Sequence, residues 1–156
     1  MQRCIELSRI ALARGNPPVG AVIVYDGKII GQGIESGKST GDITNHAEIL
    51  SIRDAVHNQK QGLLRASVMY TTHEPCVMCS YVIRHHGIAR LVYGSKVDYV
   101  GGVTSPFKIL ETEHVPRWGK PPQIESGLCE QACIELTHEY LRYLSNQPNT
   151  EDIPTI

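Results

Sequence analysis

Ten residues, His73 to Val82 (HEPCVMCSYV), hold the densest chemistry in this chain. Cys76 and Cys79 stand three apart, directly after Pro75. Such a pair has three readings. It is buried core, since free cysteine is among the most buried residue types. It is a redox couple. Or it is half of a metal site. Position narrows the choice. The run CVMCSYVIRHH reads as a helix that opens after Pro75 and stops at Gly87, a residue suited to the left-handed cap. Both cysteines then fall in its first turn, where the positive end of the helix dipole stabilises thiolates. A redox couple and a zinc site both gain from that, so a further ligand must decide.

TNHAEIL, upstream, offers one. Asn45 suits an N-cap, and Glu48 suits the partner position of a capping box. That accounts for Asn45 and Glu48 and leaves His46 idle. The helix at His46, a buried strand over Ala66–Thr72 and the helix at Cys76 form a crossover. Both helix N-termini then meet at one edge of a sheet. There His46, Cys76 and Cys79 can converge as three protein ligands. Three ligands with a fourth position open is the pattern of a catalytic zinc ion, whereas structural sites close with four.

The remaining elements must carry that cluster. Gln2–Arg14 has apolar residues at helical spacing and stops at GNPP. Val19–Tyr25 and Lys28–Ile34 read as a hairpin joined by Asp26-Gly27. SGKSTGDITN reads as a polar loop. ARLVYG is a further strand, and QIES a short fifth one. The stretch from Ser95 to Pro122 is rich in turn residues, and so long a loop in a compact domain points to function. Gly127–Ser145 is a helix with Leu128, Ala132, Leu136, Tyr140 and Leu144 on one stripe. Cys129 and Cys133, four apart on it, read as core. His85 and His86 read as caps and dipole partners. The alternation of strands and helices argues for a mixed sheet covered on both faces.

Bulk properties exclude some classes. The chain has 156 residues, 41% of them hydrophobic and 20% charged, an ordinary globular balance for one domain. Five cysteines make a poor disulfide framework. No apolar run nears the length of a membrane span and no export signal is evident, so the expected compartment is the cytoplasm. The formal net charge of −1 gives no basic signature of a nucleic-acid binder.

The pattern H-x-E followed by P-C-x-x-C is a zinc deaminase signature. On it the chain resembles the cytidine deaminase superfamily, in the branch of bacterial tRNA adenosine deaminases, guanine deaminases and fungal-type cytosine deaminases. PVGAVIV and GKIIGQG match the first hairpin of that branch. HAEILSIRDA and EPCVMC match its two motif helices, GIARLVYG the next strand and IESGLCEQAC the approach to the last helix. The resemblance implies His46, Cys76 and Cys79 as ligands of one Zn²⁺ and Glu48 as the proton shuttle. It implies a three-layer α/β/α sandwich whose mixed five-stranded sheet has an antiparallel first hairpin. It also implies a homodimer or larger homo-oligomer, while the residues themselves read as one domain over 1–145 with a frayed tail at 146–156. Backbone groups at Ala47 and Glu74 would flank the metal and bind the substrate's polar edge. The chemistry implied is hydrolysis of a C–N bond, with Glu48 taking a proton from water and passing it to a ring nitrogen and the departing amine. A family member that keeps zinc but only serves as a binding subunit could most easily lose Glu48, and Glu48 is present.

The chain departs from these relatives in ways that bear on the substrate. Glu35 stands, in ungapped register, where an amide usually reads the substrate. A carboxylate only accepts hydrogen bonds, so a substrate offering N–H or O–H groups is expected there, unless Glu35 points to water. DITNHAE, MCSYV with bulky Tyr81, and the tail NTEDIPTI all differ from the tRNA enzymes. Together with the net charge they favour a small heterocyclic amine, guanine- or cytosine-like, over tRNA. Trp118 and His114 lie in the long loop. Trp118 either stacks over a bound base or anchors the loop to the core. His73, just before Glu74, is either a neighbour of the site or polar filler.

Overall fold

The computed structural model describes residues 1–147. The tail expectation lies, from residue 148 on, outside the described residues. Helix α1 (Gln2–Ala13) buries Cys4, Leu7 and Ala11, spaced three and four apart. Strands β1 (Gly20–Tyr25) and β2 (Lys28–Ile34) form the expected antiparallel hairpin. Asp26 and Gly27 both take positive φ, 47° and 70°, the turn whose twist suits a two-residue hairpin. The polar run after it is not all loop, because Gly37–Thr40 makes one helical turn, α2. Helix α3 (Ala47–His57) follows. Its cap differs from the sequence expectation. His46, not Asn45, is the N-cap, with extended φ and ψ, and its own side chain does not cap the helix. Asn45 instead accepts a hydrogen bond from Arg53. Glu48 therefore sits one position earlier than a capping box requires and turns inward.

A 3₁₀ segment (Gln61–Ala66) leads to β3 (Val68–His73), then α4 (Val77–His86), which ends on Gly87 at φ 69° as its sequence predicts. After β4 (Arg90–Ser95) the long loop holds one 3₁₀ turn at Pro116–Trp118. β5 (Gln123–Ser126) and α5 (Glu130–Ser145) close the described chain. The start of α5 slips three residues from the sequence reading. Cys129 lies outside the helix, exposed and at φ 59°, so only Cys133 is core. No helix among the described residues is long and apolar enough to cross a membrane.

The five strands lie in the order β2-β1-β3-β4-β5. β1 pairs antiparallel with β2 and β3, whereas β3, β4 and β5 run parallel. Helices α1 and α5 cover one face, and α3 and α4 cover the other. Strand alternation divides the core accordingly. Ile23, Met69, Leu91 and Tyr93 meet Ile52, Ala55 and Ile83 on the α3–α4 side. Val22 and Tyr70 meet Cys4 and Leu7 on the α1 side. The result is the three-layer sandwich with a mixed sheet.

Candidate metal centre and active site

The crossover α3–β3–α4 brings the N-termini of α3 and α4 together. His46 is the cap residue of α3, Cys76 is the cap residue of α4, and Cys79 is the third residue inside α4. His46 Nδ1 lies 3.5 Å from Cys76 Sγ and 3.5 Å from Cys79 Sγ. The three donor atoms all lie within 4.8 Å of one another. A tetrahedral zinc ion with Zn–S near 2.3 Å and Zn–N near 2.0 Å would space sulfur and nitrogen about 3.5 Å apart. The N···S edges of this cluster have that length, so the residues present fit the ion.

The charges of the metal-free cluster point the same way. The Cys79 side chain beside it holds the Cys76 thiol down to about 4, helped by His46 and opposed by burial. The nearby Cys76 side chain, with burial, drives Cys79 well above its ordinary value. The bond to Cys76 raises His46 to about 9, against the opposing pull of burial. Two thiols this close cannot both ionise without a cation. A dication replaces the protons that the cluster otherwise keeps.

Glu48 completes the group. It is 4% exposed. Its Oε2 lies 3.4 Å from Cys79 Sγ, and its Oε1 accepts from Thr71 Oγ1 at 3.3 Å. Burial, reinforced by the Cys76 thiolate, raises its carboxyl to about 7, the range of a useful general acid and base at neutral pH. Thr71 does not stand out in the sequence. Its signal is a hydroxyl in register with buried Met69, on the same face of β3.

Glu35 does not point to water. It is 4% exposed at the end of β2. Its Oε1 accepts from Gly37 N–H at 2.9 Å and its Oε2 from Ala47 N–H at 3.3 Å. Burial raises its pKa, while His46 and the two N–H groups lower it. Glu35 thus does for α3 what no local side chain does: it satisfies a donor in the first turn. The Ala47 N–H already has this partner, and the Glu74 N–H bonds Ser95 O at 2.8 Å. Neither amide is free to bind a substrate in this conformation.

The long loop turns its aromatic away from the cluster. Trp118 packs edge-on to Tyr81 at 5.4 Å and lies 5.4 Å from the Arg84 guanidinium. Tyr81 follows Cys79 by two residues, about 200° around the helix, so Trp118 sits on the far side of α4. Arg84 is buried and bonds the carbonyls of Leu110 and Gly119, fastening the loop to the helix. Anchoring, not stacking on a base, is what Trp118 does here. His114 is exposed on the same loop with no contact to the cluster. His73 is half-buried, bonded through Nδ1 to Thr72 Oγ1 and through Nε2 to Thr137 Oγ1, so it ties β3 to α5. Burial lowers its pKa to about 4. Two open depressions, one beside Tyr25 and Leu63 and one between α3 and α4, lie away from the donors.

Sandwich, crossover and a His-Cys-Cys group beside a buried glutamate define the class of zinc-dependent hydrolytic deaminases. Residues 1–95 match the cytidine and deoxycytidylate deaminase zinc-binding region, and the chain belongs to that family. It is 32% identical over 142 residues to the tRNA-specific adenosine deaminase of Streptococcus pyogenes serotype M1, an alignment covering 91% of this chain and 81% of the relative. A solved structure from work on A-to-I editing by tRNA:A34 deaminases superposes with a TM-score of 0.79 at 34% identity, covering 87% of this chain and 96% of that one. The guanine deaminase of Nitrosomonas europaea superposes at 0.69 with 24% identity, covering 88% and 80%, which is a likeness of fold. The chain is therefore a zinc-binding deaminase, a hydrolase of C–N bonds.

Proposed function

We propose that this deaminase acts on adenosine in tRNA, converting it to inosine with water consumed and ammonia released. The supporting observation is the 32% identity across 91% of the chain to a tRNA-specific adenosine deaminase. This reverses the preference for a small free amine drawn from composition. A net charge sums over the whole chain and describes no surface, and two of the acids, Glu151 and Asp152, stand in the last six residues. The likeness to a guanine deaminase is of fold alone.

His46 Nδ1, Cys76 Sγ and Cys79 Sγ are the ligands in this reading. Zinc held by them supplies Lewis-acid activation of a water for attack on the amino-bearing carbon. Two thiolates leave that ion formally neutral, so a base must assist. Glu48 is the base. Its Oε2, on the donor side, takes the proton from water, and the carboxyl then delivers it to the ring nitrogen and the leaving amine. Thr71 holds the other oxygen, so the proton stays on the side that faces the donors. A cytoplasmic location goes with a tRNA substrate. A homodimer through the α3–α4 face goes with it too, because Val56 leaves apolar surface exposed beside the groove between those helices, which Ile49 and Val82 also line.

One observation favours a second reading, a free heterocyclic base. Glu35 brings a buried carboxylate to the edge of the cluster, where relatives of this branch carry an amide. Ammonia release separates the two. The panel is a tRNA anticodon stem-loop, adenosine, guanine, cytosine and an aminotriazine. Turnover on the RNA with none on the free bases is expected. Turnover on a free base with none on the RNA would reject the tRNA reading.

A further inference from the structure

We propose that Glu74 is a positioning residue of the zinc centre: its carboxylate wraps the 97–104 segment around the strand of chain that carries Cys76. The proposal rests on the zinc-deaminase reading above and adds a residue that does not touch metal or substrate.

Cys76 is held less by its helix than Cys79 is. It is the cap residue of α4, with extended φ −67° and ψ 174°, and joins the helical ladder through its carbonyl, which accepts from Ser80 N at 2.8 Å, while Cys79 lies inside the helix. Something else must fix it. The neighbouring chain does so on one side. Gly102 N donates to Pro75 O at 2.9 Å, Val77 N to Val100 O at 3.0 Å, and Cys76 and Gly101 form an antiparallel bridge. This short ribbon lies in a loop, so it needs its own anchor.

Glu74 is that anchor. It is 2% exposed and has no ion-pair partner among the described residues. A buried carboxylate without a cation is costly unless donors fill its lone pairs. Here four do. Oε1 accepts from Val103 N and Thr104 N, both at 2.8 Å, and Oε2 from Val97 N at 3.0 Å and Thr104 Oγ1 at 2.6 Å. The ring of donors closes tightly, since a Cβ on Gly101 would stand 2.2 Å from Glu74 Oε1 and one on Gly102 would stand 2.1 Å from Ser80 Oγ. All four partners donate. An amide in place of the carboxylate would set an NH₂ against an N–H and open the ribbon beside Cys76.

The test compares the full chain with Glu74→Gln, Glu74→Asp, Thr104→Val and Leu136→Ala. Leu136 is a buried residue of α5, across the sheet from α3 and α4, and controls for lost stability. Zinc affinity is read by competition with a chelator, and donor geometry by the visible spectrum of the cobalt-loaded proteins. Glu74→Gln is expected to weaken zinc about 10- to 100-fold and shift the cobalt bands. Thr104→Val, which removes one donor of four, should lie between it and the wild type, and Glu74→Asp should recover part of the loss. Leu136→Ala should lower Tm and leave zinc affinity alone. Wild-type affinity and spectrum in Glu74→Gln would overturn the proposal, as would an equal loss in Leu136→Ala. If Glu74→Gln does not fold, Thr104→Val decides by the same two readouts. A wild-type chain that keeps no zinc at all would instead overturn the zinc-centre reading beneath it.

Discussion

Thr71 Oγ1 lies 3.3 Å from Glu48 Oε1, across the interface between the central strand β3 and helix α3. Both groups are buried. The contact fixes one carboxyl oxygen to the rigid sheet and leaves the other facing the donor cluster. Thr71→Val keeps the volume and removes the hydroxyl. A buried hydrogen bond contributes about 1 kcal/mol, which corresponds to roughly fivefold in rate. The expected result is a fall in kcat of about that size with KM nearly unchanged, measured in steady-state ammonia release. An unchanged kcat would mean that the hydroxyl does not orient the base.

Removing Glu48, the proposed base, should cost far more. Glu48→Gln keeps the size and the Thr71 contact but cannot carry a proton. Turnover should drop by about 10²- to 10⁴-fold. Zinc content, measured by elemental analysis, should stay at one per chain, because His46, Cys76 and Cys79 are intact. Loss of the metal together with activity would make Glu48 a structural support instead.

The metal-free protein should carry Glu48 as a pH-dependent penalty. Burial raises its carboxyl from 4.5 to about 7. Between those values the folded chain binds more protons than the unfolded one, so stability falls as pH rises. The penalty is absent below about pH 4.5 and complete above about pH 7, on the order of 3 kcal/mol. Urea unfolding of metal-free wild type and Glu48→Gln should give equal stability near pH 4, with the variant gaining the advantage through pH 7. Zinc should flatten that difference, since a dication beside the carboxylate lowers its pKa. A difference of the opposite slope would contradict the burial of a neutral carboxyl.

The donor cluster was legible in the sequence because its parts sit at helix mouths that a short crossover must bring together. The hairpin was legible because Asp26-Gly27 favours one turn geometry. What escaped depends on partners far along the chain. Glu35 reads as a substrate contact, or else as an exposed strand-end residue, until α3 is seen to lack a cap of its own. Asn45 has the right chemistry for that cap but is drawn to Arg53 and Thr40. Cys129 shares a spacing with Cys133, yet the helix starts after it. Trp118 could stack on a base or on its own protein, and Arg84 settles the matter from 34 residues upstream. Local pattern carries no record of such pairings.

The packing of β2 on α3 gives the last prediction, and it ties stability to the site. Gly33 faces α3 so closely that a Cβ would stand 2.0 Å from Ala47 O and 2.6 Å from Ser51 N. Those are backbone atoms, which cannot swing aside as a flexible side chain can. Gly33→Ala must therefore push the start of α3 off the sheet. Ala47 lies between His46 and Glu48, so the shift carries a donor and the proposed base with it. Overpacking of this kind costs about 1–3 kcal/mol, and the backbone contact puts this site at the upper end. Gly62→Ala supplies the control, since nothing lies within 4 Å of its added Cβ and its φ is not in the left-handed region. Thermal unfolding should show a large loss for Gly33→Ala and a change within about 0.5 kcal/mol for Gly62→Ala. Zinc affinity should fall only in the first. A stable Gly33→Ala chain that lost zinc would contradict the predicted stability cost while keeping the link between this contact and the site. A stable chain with wild-type zinc affinity and turnover would show that α3 can be displaced without moving His46, and that the glycine contact does not set the centre.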